Sequence, residues 1–375
     1  MTKTEKLLQE LIALPSVNPA FLPPGDPRAG EQRVAEFLAA TAAQAGLDVE
    51  LRPVLPGRSN LLARLAPAGK ARQRVWLAPH LDTVNGTDAQ FTPRKRGNRL
   101  YGRGTCDTKA SVASMLDLLC DLARTPARPR ATEIVFAGLV DEENAQSGSR
   151  ALAAGGFKAD LAIVGEATGL RIVTAHKGSL WLSLATRGKS AHGSRPELGR
   201  NAVHEMARVV EVLQTQYAAR LARRRHPLLG HATVSVGVIA GGTQANIVPD
   251  HCSITIDRRT LPGETAPSVQ REILGWLRRH RLQATCTDGK LAACLPLETD
   301  PKLPLVAQFL NCARQAKPAG AHYFCDASVL ARGGIPSVVF GPGDIAQAHT
   351  ADEWVDLTAV ERGRAVLLAF LRSLP

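Results

Sequence analysis

Two apolar runs in this chain end in side chains that can bind cations. Residues 134–140 lead into Asp141, Glu142 and Glu143, and residues 75–78 lead through Pro79 into His80, Leu81 and Asp82. Three adjacent acids repel one another unless something cationic sits among them. A lone DEE reads by default as an acidic helix start on a solvated surface. The second run overturns that default, because two strands would then aim ligand chemistry at one edge of a sheet. Asp107 lies in the glycine-rich turn YGRGTCDTK just ahead of a helix, where an N-cap is the competing role. Glu166 follows the apolar residues 161–164, and His349 lies in PGDIAQAHTADEW; each taken singly is an ordinary loop residue. His80 and Asp82, two residues apart on an extended tip, point the same way, so Asp82 is placed to take the second imidazole N–H. Together with Asp107, Glu166 and His349 they supply two imidazoles and three carboxylates. That nitrogen and oxygen set suits zinc, cobalt or manganese rather than a cysteine-rich structural site.

The elements that must hold these groups are legible from periodicity. Leu7, Leu8, Leu11 and Ile12 make the apolar face of a first helix stopped by Pro15, a second helix is expected over 31–45 after a proline-rich loop over 15–30, and strands are expected at 49–54, 60–65 and 75–78. A basic, turn-rich segment precedes Tyr101, and a helix with Val112, Met115, Leu116 and Leu119 inward follows Lys109. Strands alternating with helices, polar groups gathered at strand C-termini, define a doubly wound α/β plan. Near Lys177 the pattern changes. Strands at 179–186, 231–239 and 254–256 with helices at 201–217 and 269–279 predict an α+β insertion over residues 177–290. The α/β character resumes at 291, so residues 1–176 and 291–375 form one split domain.

Composition narrows the function classes. A length of 375 residues exceeds one ordinary core, and aromatic content of 4% offers little stacking surface for bases. The net charge of +12 is spread along the chain. Its densest clusters, Arg220 with Arg223, Arg224 and Arg225, and Arg278 with Arg279 and Arg281, fall at helix ends and read as solvated faces rather than a nucleic-acid site. Seven cysteines without a CxxC indicate a reducing compartment, with Cys106 notable beside Asp107. The first residues lack a signal-peptide core, and no stretch reaches the ~20 apolar residues of a membrane span. A cytoplasmic protein with neither nucleic acid nor membrane as partner is expected.

The segments APHLDTV, GRGTCDTKA, DEEN, GEAT, GKSAHGSRPELGRNA, DRRTLPGE and AHTADEW, in this order over nearly the whole chain, resemble the M20 metallopeptidase family. That family includes acetylornithine deacetylase, succinyl-diaminopimelate desuccinylase, aminoacylases and glutamate carboxypeptidases. The resemblance implies a zinc-hydrolase catalytic domain interrupted by a lid and dimerisation domain, in a homodimer. It implies two Zn2+, with Co2+ or Mn2+ as substitutes: His80 and Glu166 on one, Glu143 and His349 on the other, and Asp107 bridging both. Glu142 matches the general base acting on the water between the metals, and His192 the oxyanion donor supplied by a partner subunit. Asn246 and Arg259 match substrate-binding positions, with adjacent Arg258 an equal candidate for the second. Thr108 stands where some members carry Met, a position that is not a ligand. Glutamate at 166 resembles the deacylase branch. The implied reaction is hydrolysis of the amide bond of N-acyl amino acids; the alternative is a dipeptidase or carboxypeptidase with the same centre.

Overall fold

The computed structural model describes residues 1–126, 128–289 and 293–375. The expected boundary between Lys290 and Leu291 lies outside those residues. The chain divides into two compact units, one of Met1–Thr174, Thr299–Ala319 and Cys325–Pro375, the other of Ala175–Glu298 and Gly320–Phe324.

The first unit is an α/β layer structure built on a mixed sheet. Its strands run in the order Asp48–Leu55, Arg58–Leu65, Thr132–Gly138, Gln73–Pro79, Leu161–Gly165 and Ser337–Val339. The first two form an antiparallel hairpin, whereas the last four are mutually parallel. Leu161–Gly165 and Ser337–Val339 are buried throughout, as parallel strands covered on both faces must be. Asp48–Leu55 is the edge, half-exposed and carrying charges that discourage further pairing. The helix Ala110–Ala123 buries nearly every residue in this core, and Lys3–Ile12 and Leu357–Arg372 pack on it. Because the central strands are parallel, their C-terminal tips share one edge. His80 follows Pro79, the acidic turn follows Val140, and Glu166 follows Gly165.

Two local expectations are corrected here. The basic segment read as turns is a hairpin, Arg94–Arg96 with Arg99–Tyr101, which turns through Gly97 at φ 58 and pairs with Trp354–Asp356. Charged residues on short, exposed strands hide the period-2 signal. The apolar run expected to be strand through 140 leaves the sheet after Gly138, and Leu139 pairs with His80.

The second unit holds a four-stranded antiparallel sheet in the order Thr233–Gly241, His251–Thr260, Gly178–Arg187 and Thr285–Asp288. The strand expected at 254–256 extends over His251–Thr260, whose residues alternate strictly between buried and half-buried. The helix expected over 201–217 is capped by Asn201 and continues past one wider turn at Leu213–Tyr217 to Ala222. Among the described residues no helix is long and apolar enough to cross a membrane.

Candidate metal centre

Asp107 occupies the middle of the site. Its Oδ1 lies 3.0 Å from His80 Nε2, and its Oδ2 lies 3.3 Å from His349 Nε2. Glu166 Oε1 stands 3.7 Å from the same His80 nitrogen, and Glu143 Oε2 stands 3.1 Å from that of His349. Two groups of potential ligands therefore share one carboxylate: His80, Asp107 and Glu166, and Asp107, Glu143 and His349. The five residues come from three strand tips, one turn and one loop, brought together by the parallel order of the sheet.

Burial dominates the electrostatics. It pushes the Glu166 and Glu142 carboxyls well above the usual carboxylate range and Glu143 up to about 7, with neighbouring acids adding and His80 opposing. Among the described residues no Lys or Arg ion-pairs with Asp107, Glu143 or Glu166. Packing acids this closely without a lysine or arginine is costly, and divalent cations among mixed imidazole and carboxylate donors would relieve it. The residues present thus fit the metal that their spacing suggests. Glu142, buried beside this cluster, makes no side-chain hydrogen bond among the described residues.

The supporting contacts explain why the donors hold their places. His80 Nδ1 bonds the backbone carbonyl of Asp82 at 3.0 Å, whereas the Asp82 carboxylate stands 3.5 Å away. The expected carboxylate partner therefore orients the imidazole through its main chain. Its side chain instead accepts the Glu142 and Glu143 amides, both at 3.1 Å, and Asn18 Nδ2 at 2.7 Å. Asn18 also donates to Asp141 Oδ1 at 3.0 Å, and Arg58 bridges Asp141 at 3.1 Å and Glu31 at 2.6 Å. These bonds hold Asp141 at φ 69, a left-handed turn that swings the two glutamates off the strand axis. Thr108 Oγ1 donates to the Gly165 carbonyl at 2.7 Å and ties the Asp107 turn to the strand that presents Glu166.

Sequence reasoning missed Glu353. Its buried carboxylate accepts the amides of Gly104, Cys106 and Asp107 at 2.8–3.0 Å and Arg103 Nη1 at 2.7 Å. The signal was an acid four residues after His349, in the same motif. Cys106 is buried, donates to the Asp344 carbonyl at 3.2 Å, and has its thiol pushed up by burial, which leaves it unreactive. Gly341 lies against Glu166; a Cβ there would meet the Glu166 carbonyl at 2.5 Å.

His192, Asn246 and Arg259 belong to the second unit. His192 and Asn246 are neighbours, since Gly193 N donates to the Asn246 carbonyl at 2.7 Å and His192 pairs with Ile247. Both side chains are exposed. Arg259 is partly exposed and touches Asp257 at 3.0 Å, whereas Arg258 is fully buried against Glu264 at 2.7 Å and Tyr217 at 3.3 Å. Burial removes Arg258 from the candidates for contacting substrate.

A doubly wound unit presenting a carboxylate-bridged imidazole centre at its strand tips defines a metal-dependent hydrolase. Residues 76–373 match the family described as Peptidase family M20/M25/M40, and the chain belongs to it, as an enzyme acting on amide or peptide bonds. It is 30% identical to the acetylornithine deacetylase of Photorhabdus laumondii, over 96% of this chain and 94% of that one, and 30% identical to that of Proteus mirabilis over the same shares. Among solved structures it resembles aminopeptidase PepT of Bacillus cereus, with a TM-score of 0.78 and 22% identity over 99% of this chain and 97% of that one. An M20 family metallo-carboxypeptidase of Sulfolobus solfataricus follows, with a TM-score of 0.77 and 17% identity over 99% of both chains. These structures share the fold.

Proposed function

We propose that the protein is a cytoplasmic, homodimeric dizinc amidohydrolase that removes an acyl group from the amino group of an amino acid. The acetylornithine deacetylase and succinyl-diaminopimelate desuccinylase type is the nearest description. The observation that carries this reading is Asp107, whose two oxygens face separate histidine–glutamate groups, as a carboxylate shared by two cations must. The deacetylases similar over nearly the whole chain favour the acyl-amino-acid substrate. Seven free cysteines suit a reducing compartment.

Asp107 would bridge two divalent ions, zinc by preference and cobalt or manganese as substitutes, with His80 and Glu166 on one side and Glu143 and His349 on the other. When bound, such a pair supplies Lewis acidity toward the scissile carbonyl and acidifies water. Glu142, beside the ligands and with no side-chain hydrogen bond among the described residues, takes the proton of the attacking water and delivers it to the departing amide nitrogen. Asp82 holds both His80 and the turn bearing Glu142. The second unit serves as lid and dimerisation domain: His192 of one subunit donates to the oxyanion forming in the other, and Asn246 and Arg259 hold the substrate, Arg259 by its planar fork. The edge strand Thr233–Gly241, with Val238 and Ile239 59% and 58% exposed, supports a subunit contact there.

The test joins metal content by mass spectrometry to hydrolysis of N-acetyl and N-succinyl amino acids and dipeptides, before and after chelation. Near two metals per chain and chelator-sensitive deacylation are expected. A dipeptide preferred by more than about a hundredfold in kcat/KM, roughly 2.7 kcal/mol, would put the peptidase reading first.

A further inference from the structure

The second unit concentrates the basic character of the chain, with 17 Lys and Arg against 9 Asp and Glu. Several of its arginines are accounted for by pairing. Arg220 and Arg224 hold Glu272 at 3.1 and 2.8 Å, and Arg258 holds Glu264. Arg187, Arg200 and Arg281 are different. They line one cavity of about 430 Å³, and none of the three ion-pairs among the described residues. The acid on the cavity wall, Glu205, is engaged by Arg208 at 3.5 Å.

The three arginines arrive from separate segments. Arg187 ends the strand Gly178–Arg187, Arg200 closes the loop after it, and Arg281 lies between the helix Ala266–Arg279 and the strand Thr285–Asp288. Lys189 and Arg200 exchange backbone bonds of 2.8 and 2.9 Å, and the Arg200 guanidinium donates to the Arg187 carbonyl at 3.2 Å. Guanidinium groups stay charged at physiological pH and repel one another, a cost relieved when an anion sits among them.

We propose that this cavity binds a phosphoryl group, free as inorganic phosphate or carried on a phosphomonoester. Guanidinium forks match phosphate oxygens in pairs, and Gln283 adds an amide donor on the wall. The volume is that of a small-molecule site and leaves room beyond a bare phosphate. No aromatic side chain lines it, so a nucleobase finds no stacking surface and the affinity resides in the phosphate. Arg200 also fixes the base of the loop over residues 188–200, which carries His192. A bound anion would therefore brace that loop at its root. The binding claim stands apart from the hydrolase reading, since none of the proposed catalytic or metal-binding residues lines the cavity.

Calorimetric titration of the metal-loaded protein with inorganic phosphate and, separately, AMP, at ionic strength held constant with KCl, tests the proposal. One site per chain is expected, weakened about tenfold or more by Arg187→Ser or Arg281→Ser. Arg225→Ser, which removes an exposed guanidinium outside the cavity, should change nothing. Equal affinities for the two ligands would assign the site to the phosphoryl group alone, and tighter AMP binding would assign it to a phosphomonoester. Binding that survives both cavity variants, as binding at a metal centre would, overturns the proposal, as does no binding at all.

Discussion

Glu142 and Glu143 are adjacent in the chain and separate in their surroundings. Glu143 faces His349, whereas the Glu142 carboxyl is buried without a hydrogen bond among the described residues. This asymmetry is what supports reading Glu143 as a ligand and Glu142 as a base. Glu142→Ala is expected to retain metal while kcat falls by about 10²–10⁴, the range for loss of a general base. Metal loss in that variant would make Glu142 the ligand and invert the pair. Glu353 acts one step further out, through three backbone amides of the Asp107 turn. Glu353→Gln leaves fewer acceptor sites for those amides, and metal affinity should weaken by about 10–100-fold, measured by competition with a chelator. An unchanged affinity would confine Glu353 to a structural part.

At the scale of elements, the acidic turn depends on a buried ionic network rather than on its own sequence. Arg58, from the outer hairpin, reaches both Glu31 and Asp141, and the Asp141 amide donates to Glu31 Oε1 at 3.0 Å. Removing one partner strands a buried charge. Arg58→Leu should therefore destabilise by about 3–5 kcal/mol, read as a lower urea midpoint at unchanged m-value. Arg58→Leu combined with Glu31→Leu should recover part of that loss, because the stranded carboxylate is gone. A shift no larger than that of an exposed arginine variant would show that the network adds nothing to the turn. The helix Lys3–Ile12 is tied to the same region. Lys109, buried behind the Asp107 turn, donates to the Leu11 and Leu14 carbonyls at 2.8 and 2.7 Å, closing the helix end.

At the scale of the whole molecule, the proposed dimer would assemble through the edge strand Thr233–Gly241. Its backbone groups pair on one side only, and Val238 and Ile239 add apolar surface. Val238→Lys with Ile239→Lys places like charges on an edge, a device that blocks strand pairing. If the protein is the proposed dimer, sedimentation should show it fall to a monomer while metal content stays unchanged. If His192 acts across the interface, turnover falls with it. A variant that stays dimeric would move the subunit contact elsewhere.

The sequence by itself determined the α/β character of the first unit and pointed to the residues that the fold gathers as candidate donors, because buried parallel strands read as apolar runs and their polar tips stand out against them. It also carried the ordered motifs that imply the family, since those motifs mark the turns where ligands must sit. Other features were invisible along the chain. The partnership of Asn18, Asp82 and Asp141, the anchoring of Asp107 by Glu353 and the burial of Arg258 all join residues far apart in sequence or on faces that periodicity leaves ambiguous. The hairpin at Arg94–Tyr101 escaped because its first strand is charged on both faces and its second is only three residues long. Composition and spacing name the groups able to do chemistry. Only tertiary packing decides which of two neighbouring acids meets a histidine and which is left free, because that choice rests on a single left-handed residue, Asp141, held in place by side chains from other parts of the chain.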